Sequence, residues 1–220
     1  QDTIDLVKQN QGIDVKFDEK MNDPKVYKLW QNGESVGIFQ FESQGMTNFM
    51  KELKPDCLED IIAGVSLYRP GPMDQIPRYI ANKKDPEHAV YTHPALKPIL
   101  EVTYGCMVYQ EQVMQIVRDL AGYSLGRADL VRRAMGKKKL DVMAKEREIF
   151  IHGQTDENGN IVVPGCIRNG IDEQSANKIF DEMAEFAKYA FNKSHAAAYA
   201  VVSYRTAYLK AYYPTEFMAA

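Results

Sequence analysis

The apolar positions of this chain recur mostly at intervals of three and four, a period that predicts helices. Met46, Phe49, Met50 and Leu53 fall on one helical face, with Ser43 placed to cap the turn before them. The same period runs through residues 57–67. It also runs through residues 109–120, where Val113, Ile116, Val117 and Leu120 form a single stripe that Gly122 closes. Asn22-Asp23-Pro24 pairs a short capping side chain with proline at the first helical position, opening a helix to about residue 31 that Asn32-Gly33 ends. Further helices are predicted over residues 74–83, from His93-Pro94 through Leu96, Ile99 and Leu100, over 124–135 before Gly136, and over 140–152. Two long ones follow, over 172–189 and 194–212, with Pro214 beyond the second. Two segments break the pattern. Val36-Gly37-Ile38-Phe39-Gln40-Phe41 is a β-rich run that predicts a strand, and residues 156–163 predict a hairpin turning at Asn158-Gly159. Residues 1–20 are polar with scattered apolar positions and read as a connector or the tail of a preceding element. The fold class is therefore mainly α: many helices, with a few short strands or one hairpin.

With 220 residues, 45% of them hydrophobic and 26% charged, the chain can bury a substantial core. It has no run of about 18 apolar residues, so no membrane span and no membrane partner are expected. It opens on Gln1-Asp2-Thr3-Ile4-Asp5, without an initiator Met or a signal-peptide pattern, and stops inside the apolar stretch before Ala220; it reads as a piece of a longer protein. Cys57, Cys106 and Cys166 are an odd number without a CxxC pair, which fits thiols in a reducing cytoplasm better than a disulfide framework or a zinc site. The net charge of −3 does not by itself point to nucleic acid, and its distribution says more than the sum. Five of the eight residues from 132 to 139 are basic, and residues 186–215 hold no acid while carrying Lys188, Lys193, His195, Arg205 and Lys210. Such asymmetry focuses an anion-attracting field despite a near-neutral sum.

Three constellations carry candidate chemistry. In Arg132-Arg133-Ala134-Met135-Gly136-Lys137-Lys138-Lys139, neighbouring helical arginines point about 100° apart, so both cannot face the core. Guanidinium forks hold phosphate oxygens bidentately and lysines act as point charges, so the run suits a polyphosphate; the plainer reading is a solvated basic helix end. In Phe191-Asn192-Lys193-Ser194-His195, a polar segment precedes a helix of small residues. A helix N-terminus offers N–H groups and partial positive charge to a phosphate, to which Lys193 and His195 would add donors; the plainer reading is capping by Asn192 or Ser194 and close helix packing. In Tyr68-Arg69-Pro70-Gly71-Pro72 the prolines cannot continue a helix and push the residues before them toward extended backbone, fixing an aromatic and an arginine at a rigid turn. A structural turn is the plainer reading there, as a simple helix start is for Gln110 in Tyr109-Gln110-Glu111-Gln112. A hydrolase triad, a P-loop and a dinucleotide fingerprint are all missing from the sequence. No Asp-x-Asp pair occurs, and no carboxylate cluster for a two-metal site can be assembled from the spacing.

These motifs, together with Gly37-Ile38-Phe39-Gln40-Phe41-Glu42-Ser43, the stretch from Tyr104 to Gln115, and the closing Tyr213-Pro214-Thr215-Glu216-Phe217, resemble the C-family bacterial replicative DNA polymerases in content and order. The resemblance runs from about residue 37 to 220, and Asn192-Lys193-Ser194-His195 is similar to the DnaE branch. It implies a mostly helical fingers domain over residues 21–220, truncated at both ends, with residues 1–20 connecting to an upstream palm. It implies a deoxynucleoside triphosphate and a template-primer as partners, further replisome subunits bound through regions outside the chain, and cytoplasmic location. It also implies Mg2+ held by palm aspartates outside this segment, so that no catalytic or metal ligand is expected within it and the segment by itself is inactive. Carried onto this chain, Arg132 and Arg133 become the foremost triphosphate contacts. Arg69, Lys137, Asn192, Lys193, Ser194 and His195 stand second, and Lys138, Lys139, Tyr68 and Gln110 are weaker DNA contacts. Ala190 departs from the family's usual glycine, and residues 154–170 resemble a lineage-specific insertion of no assigned role. The alternatives are a non-catalytic helical nucleic-acid-binding or interaction module, and an unrelated helical nucleotidyl enzyme with scattered carboxylates.

Overall fold

The computed structural model describes every residue except Lys138 and Lys139. Its helices are α1 (Asp2–Gln11), α2 (Pro24–Asn32), α3 (Gln44–Leu53), α4 (Leu58–Leu67), α5 (Ile76–Lys84), α6 (Lys97–Leu100), α7 (Gln110–Ala121), α8 (Leu125–Gly136), α9 (Leu140–His152), α10 (Glu173–Phe186), α11 (Lys193–Tyr212) and α12 (Pro214–Ala219). Strands β1 (Gln154–Thr155) and β2 (Ile161–Val163) form an antiparallel pair between α9 and α10. The protein is mainly α, as its periodicity requires, and it divides into two compact units: residues 1–68 with 194–220, and residues 69–193.

In the first unit, the Asp23 side chain accepts from Lys25 N at the start of α2, and Gly33 ends the helix in a left-handed conformation at φ +80°. Ser43 accepts from Met46 N, and α3 buries the four apolar residues that define its stripe. Helices α2 and α3 pack on each other, with Trp30 meeting Phe41 edge to face. Tyr27 and Tyr204 lie in ring contact within the same core; the Tyr204 hydroxyl accepts from Asp23 N at 3.0 Å and donates to Asp18 Oδ2 at 3.2 Å.

Residues 2–11, for which no element is predicted, form α1, packed against α12; only Thr3 and Val7 turn inward, too sparse a stripe to be read from sequence. One expectation fails in this unit. Residues 36–41 form no strand. Ile38 N donates to Ser35 O and Phe41 N to Ile38 O, both at 3.0 Å, making successive turns with Gly37 at φ +77° and Gln40 at φ +68°. The two fully buried side chains, Ile38 and Phe41, are three residues apart, a spacing a period-two strand places on opposite faces.

The second unit is built on α7, α8, α9 and α10 around one apolar cluster that includes Val113, Ile116, Val117, Leu120, Val131, Phe150, Ile179 and Phe180. The α7 stripe lies in that core, and Gly122 closes the helix at φ +81°. The hairpin forms where Asn158-Gly159 places it, but its loop covers residues 156–160, with the Asp156 carboxylate accepting from Asn158 N, Asn160 N and Asn160 Nδ2. The helix expected after His93-Pro94 reduces to the single turn of α6 flanked by 3-10 turns, because Pro94 and Pro98 each remove a backbone donor.

Candidate functional site

Among the described residues, the second unit links Arg69, Gln110, Arg132, Arg133, Asn192 and Lys193 in one connected set. Its hub is the start of α7. Gln110 N donates to Phe191 O at 2.9 Å, and Tyr109 pairs with Phe191 in an isolated parallel bridge. The Gln110 side chain points the other way and accepts from Arg132 Nη1 at 2.9 Å. The next residue, Glu111, accepts from Asn192 Nδ2 at 3.0 Å and from Lys193 N with both carboxylate oxygens, at 3.2 and 3.1 Å. Two adjacent residues thus tie the arginine motif on α8 to the segment that opens α11.

Arg69 reaches the same segment from the proline turn. Its Nη2 donates to Tyr189 O at 2.8 Å, and its guanidinium lies 4.2 Å over the Phe191 ring. The turn can come this close because Gly71 adopts φ +101°; a Cβ there would sit 2.4 Å from Tyr189 Cδ1. Burial lowers the guanidinium's pKa from its ordinary value. Lys193 Nζ lies 5.1 Å from the centre of the Tyr109 ring.

Arg132 and Arg133 differ in a way their adjacency hides. Arg132 donates through Nε and Nη2 to Asp129 Oδ1, at 3.1 and 2.8 Å, as well as to Gln110, and its side chain is 23% exposed. Arg133 meets Asp129 Oδ2 through Nε at 2.7 Å and is 63% exposed. One carboxylate therefore serves both arginines, and its pKa is lowered first by the Arg132 hydrogen bond. Lys137 follows as the exposed C-terminal cap of α8, at φ −89°. Gly136 remains the last residue of α8 and is not a left-handed terminator; Lys138 and Lys139 lie outside the described residues.

Not every candidate joins this set. Tyr68, Ser194 and His195 belong to the first unit. Tyr68 stacks on Phe49 with ring centroids 6.2 Å apart, and its hydroxyl lies 1.7 Å from the place a Cβ on Gly45 would take, so it is packed against α3. The His195 ring lies 4.5 Å from that of Tyr199. At the start of α11, the Glu111 carboxylate takes the Lys193 N–H.

Sequence reasoning passed over Asp129 and Glu111. Asp129 was findable, since residues three and four apart share a helix face. Glu111 was not, because its partners lie 81 and 82 residues away. Asp56, Cys57 and Asp60 also gather their ligand atoms within 4.8 Å, and Asp60 Oδ2 accepts from Asp56 N at 3.1 Å. A cleft of about 320 Å³ in the second unit is lined by Gly71, Asp74, Arg78, Glu182, Glu185 and Tyr189 among others. Three carboxylates against one guanidinium give it the wrong sign for a phosphate. Among the described residues no helix is long and apolar enough to cross a membrane.

Residues 1–158 match the model of the bacterial DNA polymerase III alpha subunit finger domain. Over 221 residues, 98% of this chain, the sequence is 51% identical to the DNA polymerase III subunit alpha of Thermus aquaticus. It is 52% identical to that of Rickettsia felis over 96% of the chain, and 44% identical to that of Aquifex aeolicus over 98%. The chain spans only 17% of the first two relatives' length and 18% of the third's. The finger-domain match over residues 1–158 and identities of about half over nearly the whole chain lead to one assignment: the chain belongs to the bacterial DNA polymerase III alpha subunit finger-domain family.

Proposed function

We propose that this segment is the fingers portion of a replicative DNA-directed DNA polymerase, where it holds the triphosphate of the incoming deoxynucleotide and lies along the template-primer. What supports the reading is the run of contacts that joins Arg69, Phe191–Lys193, Gln110, Arg132 and Arg133 in one unit. Positive groups held close together on packed elements are suited to an anion whose charge grows as pyrophosphate leaves. In this reading Arg133 and Lys137 meet phosphate oxygens from the solvent side. Arg132 braces the arrangement and offers the donors it has left, and Arg69 with Asn192 and Lys193 shape its far side. Ser194, His195, Tyr68, Lys138 and Lys139 remain candidates for contacts with nucleotide or DNA.

The groups that make up this cluster's open side are guanidinium and ammonium, which bind anions and not a hard divalent cation. Magnesium, which would stabilise the attacking and leaving oxygens, we assign to palm aspartates outside this segment, as the resemblance to the C-family polymerases implies. It follows that the 220-residue chain by itself does not polymerise. Primer extension with magnesium tests both halves: a full-length alpha subunit containing this segment extends the primer, and the segment alone does not. Robust synthesis by the segment alone, or none by the full-length protein, would sink the reading. Phosphate contacts further require that nucleotide and DNA affinity fall as salt rises.

A further inference from the structure

The arginine pair is steered by a group of opposite charge. Asp129 lies one turn before Arg132 and Arg133 on α8, at the i+3 and i+4 spacings that put all three on one helix face. Oδ1 receives Nε and Nη2 of Arg132, and Oδ2 receives Nε of Arg133. Both oxygens are engaged. Among the described residues, Arg132 keeps two of its five N–H groups beyond those given to Asp129 and Gln110, while Arg133 keeps both of its terminal nitrogens.

We infer that Asp129 is a positioning residue for the nucleotide's phosphates, one carboxylate that sets the aim of both guanidiniums. The inference rests on the reading of Arg132 and Arg133 as triphosphate contacts and adds the means by which they are held. Two effects oppose each other. The carboxylate removes one unit of positive charge and repels an arriving phosphate. It also anchors two long side chains that would otherwise repel each other and sample many rotamers, so that their ordering is complete before nucleotide binds. The geometry favours the second effect, because Asp129 engages the Nε of Arg133, a side chain that is 63% exposed, and not the terminal nitrogens that can make bidentate contacts. Hydrogen bonds from Arg132 and Arg133 lower the carboxyl's pKa below its ordinary 3.8, so the group is ionised throughout the neutral range.

The test is single-nucleotide incorporation by a full-length alpha subunit carrying this segment. Asp129→Ala should raise KM for the deoxynucleotide about tenfold, with kcat and primer-template affinity close to wild type. Asp129→Glu, which keeps a carboxylate within reach of i+3 and i+4, should recover most of the loss, and the KM ratio should stay flat from pH 6 to 9. A wild-type KM in Asp129→Ala, or no recovery in Asp129→Glu, overturns the inference. Arg133→Ala separates the two levels. If it raises KM while Asp129→Ala does not, only the positioning role fails; if Arg133→Ala leaves KM unchanged, the triphosphate reading fails and the inference falls with it. Should Asp129→Ala lose its helical circular dichroism, Asp129→Asn decides, since it keeps the volume and one acceptor oxygen; an unchanged KM there overturns the inference as well.

Discussion

Arg132 and Arg133 are neighbours in sequence and unlike in situation. Three hydrogen bonds hold Arg132 to Asp129 and Gln110, whereas Arg133 has one ionic contact and lies mostly in solvent. Truncating them should therefore have different consequences. Arg133→Ala is expected to leave thermal stability within error, because exposed ion pairs contribute little, while raising the nucleotide KM of the full-length enzyme. Arg132→Ala leaves the partly buried Gln110 acceptor without its guanidinium donor and should cost about 1 kcal/mol in addition to its kinetic effect. Denaturant melts alongside steady-state kinetics check this; equal stability losses in both variants would contradict the division of roles. Adjacency in sequence could indicate two arginines on different directions of a helix, but which one is braced depended on Gln110, 22 residues earlier.

At the level of elements, α7 contributes more than its apolar stripe. Its buried face fills the core of the second unit, and its first two residues join the arginine motif of α8 to the segment that opens α11. Glu111 places negative charge against the first N–H of α11, which is favourable for a helix N-terminus and occupies a position an anion could otherwise take. Glu111→Ala is predicted to speed amide exchange at Asn192 and Lys193 by about an order of magnitude, and Glu111→Gln, which keeps one acceptor, to speed it less. Hydrogen exchange with mass spectrometry measures both. Unaltered exchange in Glu111→Ala would show that the segment is held by its other contacts. The long helices, their caps and their stop signals were legible because each is set within about four residues, as at Asp23, Ser43 and Gly122. The misread segments were those where a local pattern is ambiguous. The β-rich composition of residues 36–41 fits a strand, yet among the described residues no partner strand meets them there and left-handed residues fold them into turns.

For the molecule as a whole, the two compact units each close over their own apolar interior. Cys106 and Cys166 lie fully inside the second, and burial pushes their thiols up to about 11 and about 12. At pH 8 only about a thousandth or less of either is thiolate, so alkylation should require opening of the unit, with Cys57, which is partly exposed, modified first. The sign follows from the shift: raising the pH toward 11 increases reactivity at Cys106 before Cys166. Peptide mapping after iodoacetamide treatment checks the order, and equal labelling of all three thiols in the folded protein would contradict it. The sequence by itself determined the helical class, most helix limits and the residue types able to hold an anion, because periodicity, capping and side-chain charge are local properties. Only the tertiary structure decided that Arg132 reaches Gln110, that Arg69 reaches Tyr189 and Phe191, that Glu111 takes the Lys193 N–H, that one Asp129 carboxylate engages both arginines, and that Tyr68 stacks on Phe49. The reason is physical: contacts across some 80 to 120 residues follow from how apolar faces pack, and those faces carry no mark of which polar groups they will bring together.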